Sequence, residues 1–132
     1  MIFIDTSFFY ALMDERDFEH DEAVASLNKL ESPSLVTTNH VRGESWTLVN
    51  RRLGHAAATR FLSHLESSPT VTVEWVDQDT EADAIAWLHH HSEREYSFID
   101  ATSFAFMRDN RITEALAFDG DFTAAGFVEL RS

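Results

Sequence analysis

The chain has no cysteine, which excludes disulfides and thiolate metal sites. No apolar stretch approaches the roughly 20 residues of a membrane-spanning helix. No repeat, low-complexity tract or Pro/Gly/Ser-rich linker divides its 132 residues. Basic residues are scarce: 10 Lys plus Arg stand against 23 Asp plus Glu, a formal net charge of −13, and Lys29 is the sole lysine. A protein that embraces nucleic acid usually shows a basic patch, and none is visible here. The acids are scattered through every segment rather than gathered in a tail. That pattern reads as a general surface adaptation, as to a high-salt cytoplasm, where salt weakens carboxylate repulsion and phosphate attraction together. The sequence starts at once on a strand-like run rather than a signal peptide. A soluble, cytoplasmic protein that does not engage a membrane is the expectation.

What is present suits a packed core. Hydrophobic residues make up 44% and aromatics 12%, with eleven Phe, and the length fits one domain over residues 1–132. Two short apolar runs, Ile2-Phe3-Ile4 and Ala115-Leu116-Ala117-Phe118, each end on an aspartate, Asp5 and Asp119. Apolar runs without alternation read as strands buried on both faces, the pattern of a parallel sheet. Ligands of such sheets sit beyond the carboxyl ends of the strands. If the two strands are neighbours, the two carboxylates converge, and like charges at close range do not both stay ionised without a cation. Each aspartate is also explained as the cap of the helix that follows it.

Along the chain, Asp5-Thr6-Ser7 leads into a helix over Phe8–Met13, with Thr6 or Ser7 at its N-cap. A second helix, 17–31, carries Phe18, Ala23, Val24, Leu27 and Leu30 at helical spacing, and Pro33 marks its end. A short strand at Leu35-Val36 precedes a helix over His40–Leu53, stopped by Gly54. A helix over His55–Ser67, a strand over Val71–Val76 and a helix over Thr80–His90 follow. Ser97 caps a helix over Phe98–Arg108, and strands at Ala115–Phe118 and Val128–Leu130 close the chain. Strands alternating with helices predict an α/β fold with a mostly parallel central sheet.

Two helices carry carboxylates in apolar settings. Glu44 shares a face with Val41 and Leu48, and Asp100 is the one charged residue between Phe98 and Met107. Glu44 is equally accommodated by a salt bridge to Arg42, Arg51 or Arg52, or by exposure at the helix margin. Asp100 is equally a first-turn acid favoured by the helix dipole. Taken together, Asp5, Glu44, Asp100 and Asp119 form an all-oxygen donor set of the kind that Mg²⁺ or Mn²⁺ prefers. Such ions activate water and clamp the oxygens of an in-line phosphoryl displacement, so the implied chemistry is phosphodiester hydrolysis.

At this point the motifs resemble a known family, the PIN-domain nucleases, and within it the small VapC-type toxins of toxin–antitoxin pairs. Ile4-Asp5-Thr6-Ser7 resembles the first acidic motif, and Glu44 through Arg51-Arg52-Leu53-Gly54 resembles the second. Tyr96-Ser97-Phe98-Ile99-Asp100-Ala101 through Met107 resembles the third, and Ala115 through Phe122, with Gly126-Phe127, the fourth. The resemblance spans essentially the whole chain. It implies a three-layer α/β/α sandwich and an endoribonuclease whose Asp5, Glu44, Asp100 and Asp119 bind Mg²⁺ or Mn²⁺. It also implies an antitoxin protein that blocks the site, an RNA substrate, and a homodimer. Thr6 and Ser7 stand where a hydroxyl supports the metal shell, and Ser103, one turn past Asp100, is a similar candidate or a small packed residue. Asp121 is an alternate ligand or, with Gly120, turn chemistry. Ile99 departs from the Thr common before the third-motif aspartate, which removes a hydroxyl and no charge.

Arg51, Arg52 and Arg108 are candidates for RNA phosphates or for neutralising acidic neighbours. His89-His90-His91 reads as a solvated helix end rather than a ligand set. Trp46, Trp75 and Trp87 read as core or dimer-interface residues. Alternative readings are a housekeeping PIN-domain ribonuclease without an antitoxin and a catalytically inactive PIN-like binding module. An aspartyl-phosphate phosphatase wants a second Asp where Ser7 stands, and a receiver domain wants a late lysine that the chain lacks.

Overall fold

The computed structural model describes residues 1–31 and 34–132. The element order is β1 (Ile2–Ile4), α1 (Thr6–Met13), α2 (His20–Lys29), β2 (Leu35–Thr38), α3 (Asn39–Leu53), α4 (His55–Ser67), β3 (Val71–Glu74), α5 (Gln78–His89), α6 (Phe98–Asp109), β4 (Glu114–Leu116), α7 (Asp121–Ala124) and β5 (Val128–Glu129). The strands form one sheet in the order β3-β2-β1-β4-β5, with every neighbouring pair parallel. The central strand β1 is flanked by β2 and β4, so the chain builds outward in one direction and then returns to build outward in the other. The reversal falls between β1 and β4, and a crevice at that switch point is where open parallel sheets bind ligands.

Both faces of the sheet are covered, which is why β1 needs no polar alternation. Phe3 points to one face, its ring 6.0 Å from Phe106 of α6 and 5.9 Å from Phe122 of α7. Ile4 points to the other, where it lines an apolar groove with Phe8, Phe9 and Phe61. Phe104 stacks or meets edge-on with Trp87, Tyr96, Phe122 and Phe127, so α6 is buried along nearly its whole length. Gly54 joins α3 to α4 with φ +94°, a left-handed value that disfavours side chains.

Most expected elements are present, with several corrections. The cap of α1 is Asp5, whose side chain accepts from Ser7 N–H, rather than Thr6 or Ser7. The second helix is shorter than 17–31, starting at His20 and ending at Lys29. Phe18, expected on its buried stripe, lies in the preceding turn and is 90% exposed. The carboxylates of Asp14 and Asp17 bond local backbone N–H groups there, offering the chain a turn in place of the helix. Pro33 lies outside the described residues. Strand β3 stops at Glu74, because Val76 N–H is taken by the Asn39 side chain. Trp75 is not core: it is 68% exposed, with the Arg42 guanidinium 5.5 Å above its ring. Strand β4 ends at Leu116 and not at Phe118, since Phe118 N–H bonds Ser7 rather than a strand neighbour. The short helix α7 is an addition to the expected elements.

Candidate active site

Asp5 is delivered by the end of β1, where its backbone N–H donates to Leu116 O of β4 at 3.1 Å. Its Oδ2 accepts from Ser7 N–H at 3.1 Å and from the Ser7 hydroxyl at 2.7 Å. Its Oδ1 is buried without a hydrogen-bond partner. Burial pushes the carboxyl up to about 8; the charges of Asp119 and Asp100 push the same way, and the two Ser7 bonds oppose them.

Asp100 sits in the first turn of α6, in a reciprocal capping box with Ser97. Ser97 N–H donates to Asp100 Oδ2 at 3.1 Å, and Asp100 N–H donates to Ser97 Oγ at 2.9 Å. The carboxyl is pushed up to about 7, mainly by burial, with Asp119 and Asp121 adding to the effect and the Ser97 bond reducing it. Asp119 lies three positions past the end of β4, and its Oδ1 accepts the Asp121 N–H at 3.1 Å. It is pushed up to about 6, by burial first and then by Asp121 and Glu129, against the Asp121 N–H bond. By its surface Asp119 is exposed, so solvent screens these effects far more than at Asp5.

Asp121 opens α7, and its Oδ1 accepts from Arg94 Nε at 2.9 Å and pairs with Arg94 Nη2 at 2.9 Å. Carboxylate oxygens of Asp100, Asp119 and Asp121 all lie within 4.8 Å of one another. Asp5 and Glu44 stand outside that triad but line the same cleft, of about 710 Å³. Glu44 is half-buried on the α3 wall, and among the described residues no ion pair engages it.

The donor set fits a divalent cation. It is built of carboxylate oxygens, the ligand type that hard cations take. One of those oxygens, Asp5 Oδ1, is buried and has no other partner. Burial first, and then the neighbouring acids, hold three of these carboxyls above their usual range, so the cleft disfavours three bare carboxylates side by side.

The other expected residues divide. Thr6, Ser7 and Arg51 line the cleft, and Thr6 Oγ1 accepts from the Ser45 hydroxyl at 3.2 Å. Ser103 is fully buried with an unpartnered hydroxyl and does not line the cleft. Arg52 lies 5.0 Å above the Tyr10 ring and Arg108 lies 5.8 Å above Trp87. Sequence reasoning passed over Arg94 and Glu95, which sit in the connection between α5 and α6, and Glu129 on β5. An irregular connection carries no periodicity to read, so only the resemblance of the flanking Tyr96-Ser97 pointed near Arg94.

Residues 2–128 match the family model described as the PIN domain. Over 131 residues the chain is 53% identical to the 23S rRNA-specific endonuclease VapC20 of Mycobacterium tuberculosis, covering 99% of this chain and 98% of that one. The crystal structure of Mycobacterium tuberculosis VapC20, described as a sarcin–ricin loop cleaving toxin, matches with a TM-score of 0.95 at 51% identity over the whole of both chains. FitAcB from Neisseria gonorrhoeae matches with a TM-score of 0.69 at 19% identity, over 98% of this chain and 96% of that one. At that identity the likeness is one of fold.

Proposed function

The chain belongs to the PIN-domain family, and from that premise we propose that its cleft cuts the sarcin–ricin loop of 23S rRNA, with Asp5, Glu44, Asp100 and Asp119 as the catalytic carboxylates. The protein is a VapC-type toxin and a metal-dependent endoribonuclease. Its substrate is RNA and its partner an antitoxin protein. The substrate loop is taken over from the whole-length relative. The observation that carries the site assignment is the 4.8 Å gathering of Asp100, Asp119 and Asp121 beside the unpartnered Asp5 Oδ1, at the switch point of the sheet.

The roles follow from how each side chain is held. Ser7 fixes Asp5 through Oδ2 and leaves Oδ1 free for a cation. Ser97 orients Asp100 through the capping box, and its carboxylate lines the cleft. Asp119 and Asp121, whose carboxylate oxygens lie within 4.8 Å of Asp100's, would hold a cation together with it. When bound, Mg²⁺ or Mn²⁺ polarises the scissile phosphate and makes water a better nucleophile near neutral pH. Glu44 or Asp100 orients the attacking water, and Arg51 on the cleft wall meets a substrate phosphate.

No helix among the described residues is long and apolar enough to cross a membrane. Residues 1–132 acting as one domain, a homodimer and a cytoplasmic location complete the reading. The housekeeping and binding-only alternatives are not favoured: the whole-length relatives are an endonuclease and a structure described as a toxin, and the expected acids all line the cleft.

The test is incubation of intact 70S ribosomes with the purified protein and Mn²⁺, with the new 5′ ends mapped by primer extension. A single cut in the sarcin–ricin loop, abolished by EDTA, is expected. Cuts scattered over the rRNA would contradict the substrate, and cutting that persists in EDTA would contradict the metal.

A further inference from the structure

The loop that carries Asp119 and Asp121 is held by a carboxylate from a different strand. Glu129 lies on β5, the two-residue edge strand, with its side chain only 4% exposed. Its Oε1 accepts the Gly120 N–H at 3.3 Å and its Oε2 accepts the Thr123 N–H at 3.0 Å. These two donors flank Asp121. The N-cap of α7 is Gly120, with φ +80°, so beyond Asp119 Oδ1, which takes the Asp121 N–H, the helix start has no local side chain to accept its free N–H groups. Glu129 does so from across the sheet edge.

Arg131 completes the arrangement. Its guanidinium lies 3.4 Å from Glu129 Oε1, donates to Ala117 O at 2.8 Å and sits 4.7 Å above the Phe118 ring. The segment leading into Asp119 and the turn that follows it are thus tied to one ion pair. A buried carboxylate with two backbone donors and a cation is well satisfied, and removing it leaves N–H groups orphaned at the site's edge.

The geometry points to Glu129, buttressed by Arg131, as the positioning residue that holds Asp119 and Asp121 in register with Asp100 for the cation. This rests on the carboxylate cleft being the metal site. Residues that orient metal ligands without touching the ion govern its affinity. Glu129 touches none of the reacting groups and acts through the backbone on either side of Asp121, at Gly120 and Thr123.

The test is Mn²⁺ binding by isothermal titration on the full chain, for wild type, Glu129→Gln and Arg131→Gln. RNA cleavage is measured over a range of Mn²⁺, and amide exchange at Gly120 and Thr123 in the metal-free protein. Glu129→Gln is expected to weaken Mn²⁺ binding by about tenfold, to speed exchange at both amides, and to regain cleavage at saturating Mn²⁺. Arg131→Gln separates positioning from simple charge. Losing a nearby positive charge alone tightens cation binding, whereas losing the clamp weakens it, and weakening is expected. Unchanged binding in Glu129→Gln, or tighter binding in Arg131→Gln, overturns the proposal. If Glu129→Gln does not fold, the exposed Arg131 variant decides alone. A wild-type chain that neither binds Mn²⁺ nor cuts RNA overturns the metal-site reading and the clamp with it, and the wild-type titration alone distinguishes that result.

Discussion

The Ser7 hydroxyl accepts the Phe118 backbone N–H at 3.0 Å, across 111 positions of chain. The same hydroxyl donates to Asp5 Oδ2 at 2.7 Å. One side chain therefore ties the end of β1 to the segment that leads from β4 to Asp119. Convergence of the first and fourth acidic motifs depends on this bridge as well as on the β1–β4 pairing.

Replacing Ser7 by Ala leaves the Phe118 N–H without an acceptor and removes one of the two donors to Asp5 Oδ2, the backbone N–H of residue 7 remaining. A loss of about 1–3 kcal/mol in unfolding free energy is expected, with reduced cleavage at limiting Mn²⁺. Urea denaturation beside an RNA-cleavage assay checks both; a variant with wild-type stability and activity would show that the bridge is idle.

The pH dependence of the metal-free protein has a definite sign. Asp5 and Asp100 are pushed up to about 8 and about 7, while the unfolded chain loses these protons near pH 4. Between those limits the folded protein binds more protons than the unfolded one. The stability this supplies is present in full at the acid end and is lost as pH rises through about 7 to 8. The melting temperature without metal should fall from pH 5 to pH 8.5, the fall should shrink in Asp5→Asn, and Mn²⁺ should raise it again at pH 8.5. A fall of the same size in Asp5→Asn would assign it to the overall negative charge instead.

Arg94 places a guanidinium on Asp121 at the edge of the acidic triad. Arg94→Gln removes a positive charge that competes with a cation for Asp121 Oδ1, so Mn²⁺ binding should tighten while the melting temperature barely moves. Weaker Mn²⁺ binding in this variant would make Arg94 a support of the site.

Two phenylalanines calibrate the fold. Phe104 is fully buried among four aromatic rings, and Phe104→Ala should cost about 3–5 kcal/mol. Phe18, 90% exposed, should be replaceable by Ser with no measurable loss. Thermal melts of the two variants decide, and a large loss at Phe18 would mean that it packs against something.

Legibility in the sequence followed periodicity. The β1 run, the long helices α3 and α4 and the Ser97 cap of α6 were readable because strand and helix patterns extended over enough residues to be distinctive. The strand order was not readable: Asp5 and Asp119 could be placed at strand ends, but only the β1–β4 pairing makes them neighbours. Phe18 misled because an apolar residue at helical spacing does not show that Asp14 and Asp17 have already turned the chain. Arg94 and Glu129 stayed silent because their contacts span 27 and up to 9 positions through irregular segments, where no period exists to reveal them.

The most direct test of the carboxylate cleft as the catalytic centre is cleavage of 23S rRNA by Asp100→Asn beside wild type, with Mn²⁺ and with EDTA, on protein shown to be folded by circular dichroism. The expected result is metal-dependent cutting by wild type and none by Asp100→Asn at any Mn²⁺ concentration. An Asp100→Asn protein that cuts the same bond at the wild-type rate would contradict the account.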